Sequence, residues 1–160
     1  MKKIIVISTI FFLFFSCDSK SVNIFEIELP NETIENKKFD IDDYKNKSVL
    51  LNFWFPSCPP CVYELEILNE INKELDSTSI IGIQVLGLDT QDDGVKMFQN
   101  KKILYKSIVD NGDSLVQNFE ITVFPTTILF DNKGDEIKRW IGIIDKEKVK
   151  KEIASLQTNE

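Results

Sequence analysis

The chain has 160 residues, of which 42% are hydrophobic and 28% charged, with a net charge of −7 and no histidine. This composition suits one domain with a sizeable core rather than a disordered chain. An acidic surface without a basic stripe argues against nucleic-acid binding, and the missing histidine removes Ser-His-Asp and Cys-His catalysis and histidine metal sites.

Met1, Lys2 and Lys3 make a short positive start, and Ile4 to Phe15 is then almost wholly apolar. As a helix that run spans about 18 Å, short of the roughly 30 Å of a hydrocarbon core. It reads as the apolar region of a signal peptide over residues 1–16. Ser16-Cys17 resembles a bacterial lipobox, in which the cysteine is lipidated and becomes the new N-terminus. Phe14 stands where such boxes usually carry Leu. Ordinary secretion or an uncleaved anchor is the alternative. Residues 17–23 form the lipidated cysteine and its tether, and 24–157 the folded domain.

Ile24 to Leu29 alternates apolar and polar residues, which predicts a half-buried strand. Asn36 to Ser48 is polar, with Phe39, Ile41 and Tyr44 as scattered anchors. Val49 to Phe55 is apolar except for Asn52 and predicts a central strand buried on both faces. Cys61, Leu65, Leu68, Ile71 and Leu75 recur at helical spacing. Ile80 to Leu88 predicts a second buried strand, 92–101 a short helix and Ile103 to Val109 a short strand. Asp110 to Asp113 reads as a turn and helix cap, with Leu115, Val116 and Phe119 behind it. Thr126 to Phe130 and Glu136 to Ile141 predict a hairpin around Asp131-Asn132-Lys133-Gly134, and Asp145 caps a last helix. Strands alternating with helices give an α/β class with a mixed central sheet.

Cys58-Pro59-Pro60-Cys61 follows a buried strand and opens a helix. A helix N-terminus carries partial positive charge and unpaired N–H groups, so a thiolate there is stabilised. Cys58 is expected to be the exposed attacking sulfur, with a moderately lowered pKa. Pro59 and Pro60 occupy first-turn positions where a missing N–H costs little, and the Cys61 N–H is the nearest donor left to Cys58. Cys61, one turn in, is expected to be sheltered and to resolve. A plain disulfide is the bland alternative, but so short a loop stabilises weakly. A metal site lacks ligands, since only two sulfurs remain after the leader. Glu64, three residues after Cys61, shares its side of the helix. Partial desolvation there raises its pKa, so that it can take or return the Cys61 proton. The alternative is a glutamate that only complements the helix dipole.

The segment Leu50-Leu51-Asn52-Phe53-Trp54-Phe55-Pro56-Ser57-Cys58-Pro59-Pro60-Cys61-Val62-Tyr63-Glu64 resembles the active site of thioredoxin-like proteins of the TlpA/ResA type. Val123-Phe124-Pro125-Thr126-Thr127 resembles their second signature, and Trp140-Ile141-Gly142 a strand end where a glycine nears the site. The resemblance implies a thioredoxin fold with an N-terminal strand extension and, between Gly82 and Val109, a central insertion. It implies a membrane-anchored, extracytoplasmic thiol–disulfide oxidoreductase. Cys58 would be the nucleophile, Cys61 the resolving cysteine and Glu64 the active-site acid. Pro125 would be cis, with the Phe124 backbone offered to a substrate peptide; a trans turn is the plain alternative. Ser57 stands at the substrate surface where the family usually has Trp, and Asn52 where cytoplasmic thioredoxins have a buried Asp. No cofactor or metal is implied. The expected partners are protein disulfides, among them apocytochrome c cysteines, and a membrane thiol reductase as electron donor. Nothing indicates a large apolar interface, so a monomer is expected. A disulfide oxidant or isomerase, and a non-catalytic surface lipoprotein on the same scaffold, are the competing readings.

Overall fold

Strand β1, Ser48–Trp54, is buried along almost its whole length and lies at the centre of the sheet. It pairs in parallel with β2, Thr78–Val85, and antiparallel with β4, Thr126–Phe130. Strand β3, Lys106–Asp110, runs parallel to β2 at one edge, and β5, Glu136–Ile141, antiparallel to β4 at the other. The order is therefore β3-β2-β1-β4-β5. Helix α1, Pro59–Glu74, follows β1. Helix α2, Gln91–Lys101, joins β2 to β3, α3, Ser114–Asn118, follows β3, and α4, Lys146–Gln157, ends the fold. The structure is a computed structural model that describes residues 22–157; the leader, Cys17 and most of the tether lie outside the described residues. Among the described residues no helix is long and apolar enough to cross a membrane.

Alternation along β1 divides two cores. Leu50 and Trp54 face α1 and α4 together with Leu65, Leu68, Val149 and Ile153. Val49, Leu51 and Phe53 face the opposite layer with Ile24, Phe39, Leu115 and Phe119. Asn52, in phase with Leu50 and Trp54, is buried on the α1 side, completely shielded from solvent.

Two sequence expectations are corrected. Ile24 to Leu29 is not a strand: Ile24–Glu26 is a 3-10 turn, so among the described residues no N-terminal strand extends the sheet. Asn23 Oδ1 accepts from the Phe25 N–H and starts that turn, while its amide donates to Lys133 O and Asp135 Oδ1. The alternation survives as burial: Ile24 is fully buried and held on the β4–β5 turn by its N–H to Gly134 O at 2.8 Å, Phe25, Ile27 and Leu29 are half-buried against the same core, and Glu26 and Glu28 are exposed. The second strand stops at Val85, and the remaining apolar residues leave the sheet. Gly87 has φ +129 and Leu88 is fully exposed. The expected turn and cap over Asp110 to Asp113 is present: the buried Asp110 carboxylate accepts from the N–H groups of Leu115 and Val116, while Asp113 makes no side-chain cap bond. Gly82 to Val109 supplies the end of β2, α2 and β3, so the inserted stretch extends the sheet.

Candidate active site

The chain leaves β1 through Phe55, Pro56 and Ser57, and Cys58 caps α1 with Pro59 and Pro60 at its first two positions. With both prolines lacking an N–H, the first free donor of the helix belongs to Cys61, and it reaches Cys58 Sγ at 3.2 Å. The two cysteines are joined as a disulfide, their Cα atoms 5.2 Å apart. Cys61 is fully buried. Cys58 is more accessible, as expected, but only 6% exposed. The openly exposed cysteine expected from the sequence is therefore nearly buried in this disulfide form. The rings of Phe55 and Phe124 meet edge to face, 5.3 Å between centroids, and pack against the core cluster that holds both cysteines.

Glu64 follows Cys61 by one turn and is completely buried. Its Oε1 accepts from the Thr127 hydroxyl at 2.8 Å. Burial raises its pKa from 4.5 to about 7, against the pull of the Thr127 hydroxyl and the Ile144 backbone. Its Oε2 has no hydrogen-bond partner among the described residues. Asn52 Nδ2 donates to Thr127 Oγ1 at 3.0 Å. The hydroxyl of Tyr105 is likewise buried without a partner, and burial together with the charge of Glu64 holds its proton on.

The Phe124–Pro125 peptide bond is cis. Pro125 O accepts from the Gly142 N–H at 2.8 Å, and Gly142 has φ +83. The glycine thus ties the end of β5 to the proline loop through a conformation that side chains disfavour. Ser57 gives both its N–H and its hydroxyl to Asp89 Oδ2, at 3.0 and 2.7 Å. That pins the loop after β2 to the turn before Cys58. Between them lies a largely apolar groove of about 380 Å³, lined by Phe55, Ser57, Leu86, Leu88, Val116 and Phe124.

The sequence-derived residues Ser57, Cys58, Cys61, Glu64, Phe124 and Pro125 thus all belong to one end of the sheet, and Cys17 lies outside the described residues. Sequence reasoning missed Asp89, whose pairing with Ser57 spans 32 residues. It also gave no role to Thr127 or Tyr105. The phase of Thr127 along β4 is the one signal that could have placed it beside α1. Chemically, the arrangement sets a thiol pair at a helix N-terminus with a buried carboxyl one turn behind it.

Comparison with known proteins gives one answer. The redoxin family matches residues 21–156. The thiol-disulfide oxidoreductase ResA of Bacillus thuringiensis (strain Al Hakam) is 31% identical over 128 residues, covering 76% of this chain and 72% of the relative. The structure of StoA from Bacillus subtilis superposes with a TM-score of 0.66 at 25% identity, over 77% of this chain and 93% of that one. The exposed lipoprotein thioredoxin of Streptococcus pneumoniae shares the fold, with a TM-score of 0.72 at 22% identity, over 81% of this chain and all of its own.

Proposed function

The chain belongs to the redoxin family, as a thioredoxin-like thiol–disulfide oxidoreductase of the TlpA/ResA type, and from that premise we propose that it reduces protein disulfides outside the cytoplasm. The observation that carries the chemistry is the Cys58–Cys61 disulfide at the start of α1, with the Cys61 N–H on Cys58 Sγ and Glu64 buried behind it.

In the dithiol form the Cys58 thiolate attacks one sulfur of a substrate disulfide. A Cys58–substrate bond forms, the substrate S–S bond breaks, and one substrate sulfur leaves as a thiolate. Cys61 passes its proton to Glu64 and attacks the Cys58 sulfur. The mixed disulfide breaks, the second substrate thiolate leaves, and the Cys58–Cys61 bond closes. Two electrons have gone to the substrate, and a membrane thiol reductase restores them. Phe124 and Pro125, which precede β4 at the cysteine end of β1, offer backbone to the substrate chain, and Ser57 lines the same groove as Phe124. Apocytochrome c cysteines are one fitting substrate class. Residues 1–16 act as the signal peptide and Cys17 as the lipid anchor, a reading supported by the apolar run and Ser16-Cys17.

The test is the reduction potential of a soluble fragment from Asp18 onward, equilibrated against a thiol buffer. A value near that of thioredoxin, about −270 mV, supports a reductase; one near −120 mV makes the chain a disulfide oxidant. Alongside it, Cys58→Ser is expected to abolish insulin reduction and Cys61→Ser to accumulate the mixed disulfide.

A further inference from the structure

Asn52 of β1 and Thr127 of β4 stand directly opposite each other in the antiparallel pair, both fully buried on the side of α1. Asn52 Nδ2 donates to Thr127 Oγ1 at 3.0 Å, and Thr127 Oγ1 lies 2.8 Å from Glu64 Oε1. A hydroxyl has one proton. The Asn52 amide fills one of the two acceptor positions of Thr127, and the single threonine proton goes to Glu64 Oε1. Oε1 is thereby an acceptor, Oε2 has no hydrogen-bond partner among the described residues, and the Ile144 backbone is the other polar group that acts on the carboxyl. Among the described residues the titratable groups beside Glu64 are Cys61 and Cys58 at the head of its own helix and Tyr105 ahead of β3. Thr127 and Asn52, from β4 and β1, cannot titrate.

We propose that Asn52 and Thr127 are positioning residues for the proton transfer: they hold Glu64 with Oε1 as a fixed acceptor and confine its exchangeable proton to Oε2. The proposal rests on the reading of Glu64 as the acid–base partner of Cys61. The transfer is balanced within the site, since the proton that Cys61 loses is the one Oε2 gains. Neither positioning residue exchanges a proton with the sulfur.

The experiment follows the Glu64 carboxyl in the reduced protein by carbon NMR titration, and by the infrared stretch of its protonated C=O, isolated by difference against Glu64→Gln. Thr127→Val removes the donor to the charged form. The titration is expected to rise by about one to two pH units, and the C=O stretch to move to higher frequency as its hydrogen bond disappears. Thr127→Ser keeps the hydroxyl and is expected to return both readings to those of the parent chain. Asn52→Asp, as a carboxylate, turns the donor into an acceptor that draws the threonine proton away; its charge alone raises the titration, so the reading that counts is the C=O stretch of Glu64, expected to move to higher frequency as in Thr127→Val. Should Thr127→Val fail to fold, Asn52→Asp and Thr127→Ser decide the matter alone. The proposal is overturned if Asn52→Asp keeps the C=O stretch of the parent, or if a folded Thr127→Val titrates within about 0.3 unit of it. It is equally overturned if the serine variant departs from the parent. Failure of the underlying reading looks different: Glu64→Gln would then leave the pH profile of mixed-disulfide resolution unchanged, whatever the carboxyl titration does in the other variants.

Discussion

Replacing Glu64 by Gln removes a buried titrating group and leaves its shape. In the oxidised protein the cysteines do not titrate, so stability isolates the carboxyl. Its pKa is 4.5 as an ordinary glutamate and about 7 in the fold. A raised pKa means that between these values the folded chain holds a proton the unfolded chain has lost. The stability of the parent therefore falls as pH rises from 4.5 and levels off above 7. The difference of about 2.5 units corresponds to about 3 kcal/mol. Gln carries no such cost at high pH. It does place an amide where Oε2 had no partner, which costs about 1–3 kcal/mol at every pH. The informative quantity is thus the pH dependence of the difference between the two proteins, read from urea unfolding between pH 4 and 8.5. The variant is expected to gain about 3 kcal/mol on the parent across that interval, most of it between pH 4.5 and 7. A difference that stays flat would refute the claim that burial governs this carboxyl.

Asp89→Asn keeps an acceptor for Ser57 but removes a negative charge beside the turn that carries Cys58. Alkylation of Cys58 in the reduced protein is expected to reach half its maximal rate about half a pH unit lower, and by less in high salt. Gly142→Ala forces a side chain into φ +83 next to the hydrogen bond on Pro125. A loss of about 1–2 kcal/mol in urea unfolding is expected, with a raised KM for protein disulfides. Ile24→Ala empties a fully buried site under the β4–β5 turn. A loss of about 2–5 kcal/mol would mark the N-terminal segment as part of the cooperative fold, and an unchanged midpoint would mark it as an appendage.

Much of this fold can be read without coordinates because its signals are local. Val49 to Phe55 has too few polar residues for anything but a central strand, and Cys61, Leu65 and Leu68 keep helical spacing directly after a double proline. The burial of Glu64 follows from its sharing that face. What stayed illegible depends on partners distant in sequence. Ile24 to Leu29 has a strand's alternation, but Asn23 spends its hydrogen bonds on a turn 110 residues away. Leu86 and Leu88 continue the apolar run of β2, and hydropathy does not distinguish a strand end from the lip of a groove. Asn52 and Thr127 are 75 residues apart and meet only through strand register. That register also places Phe53 opposite Thr126, next to Pro125, so the pairing that brings the proline loop to the cysteine end of β1 builds the polar link to Glu64 as well. Side chains alternate across a sheet, so a slip of one residue would turn Asn52 or Thr127 to the far face and shift the proline loop along β1 in the same step. The proline loop and the Glu64 carboxyl are therefore positioned by one strand pair.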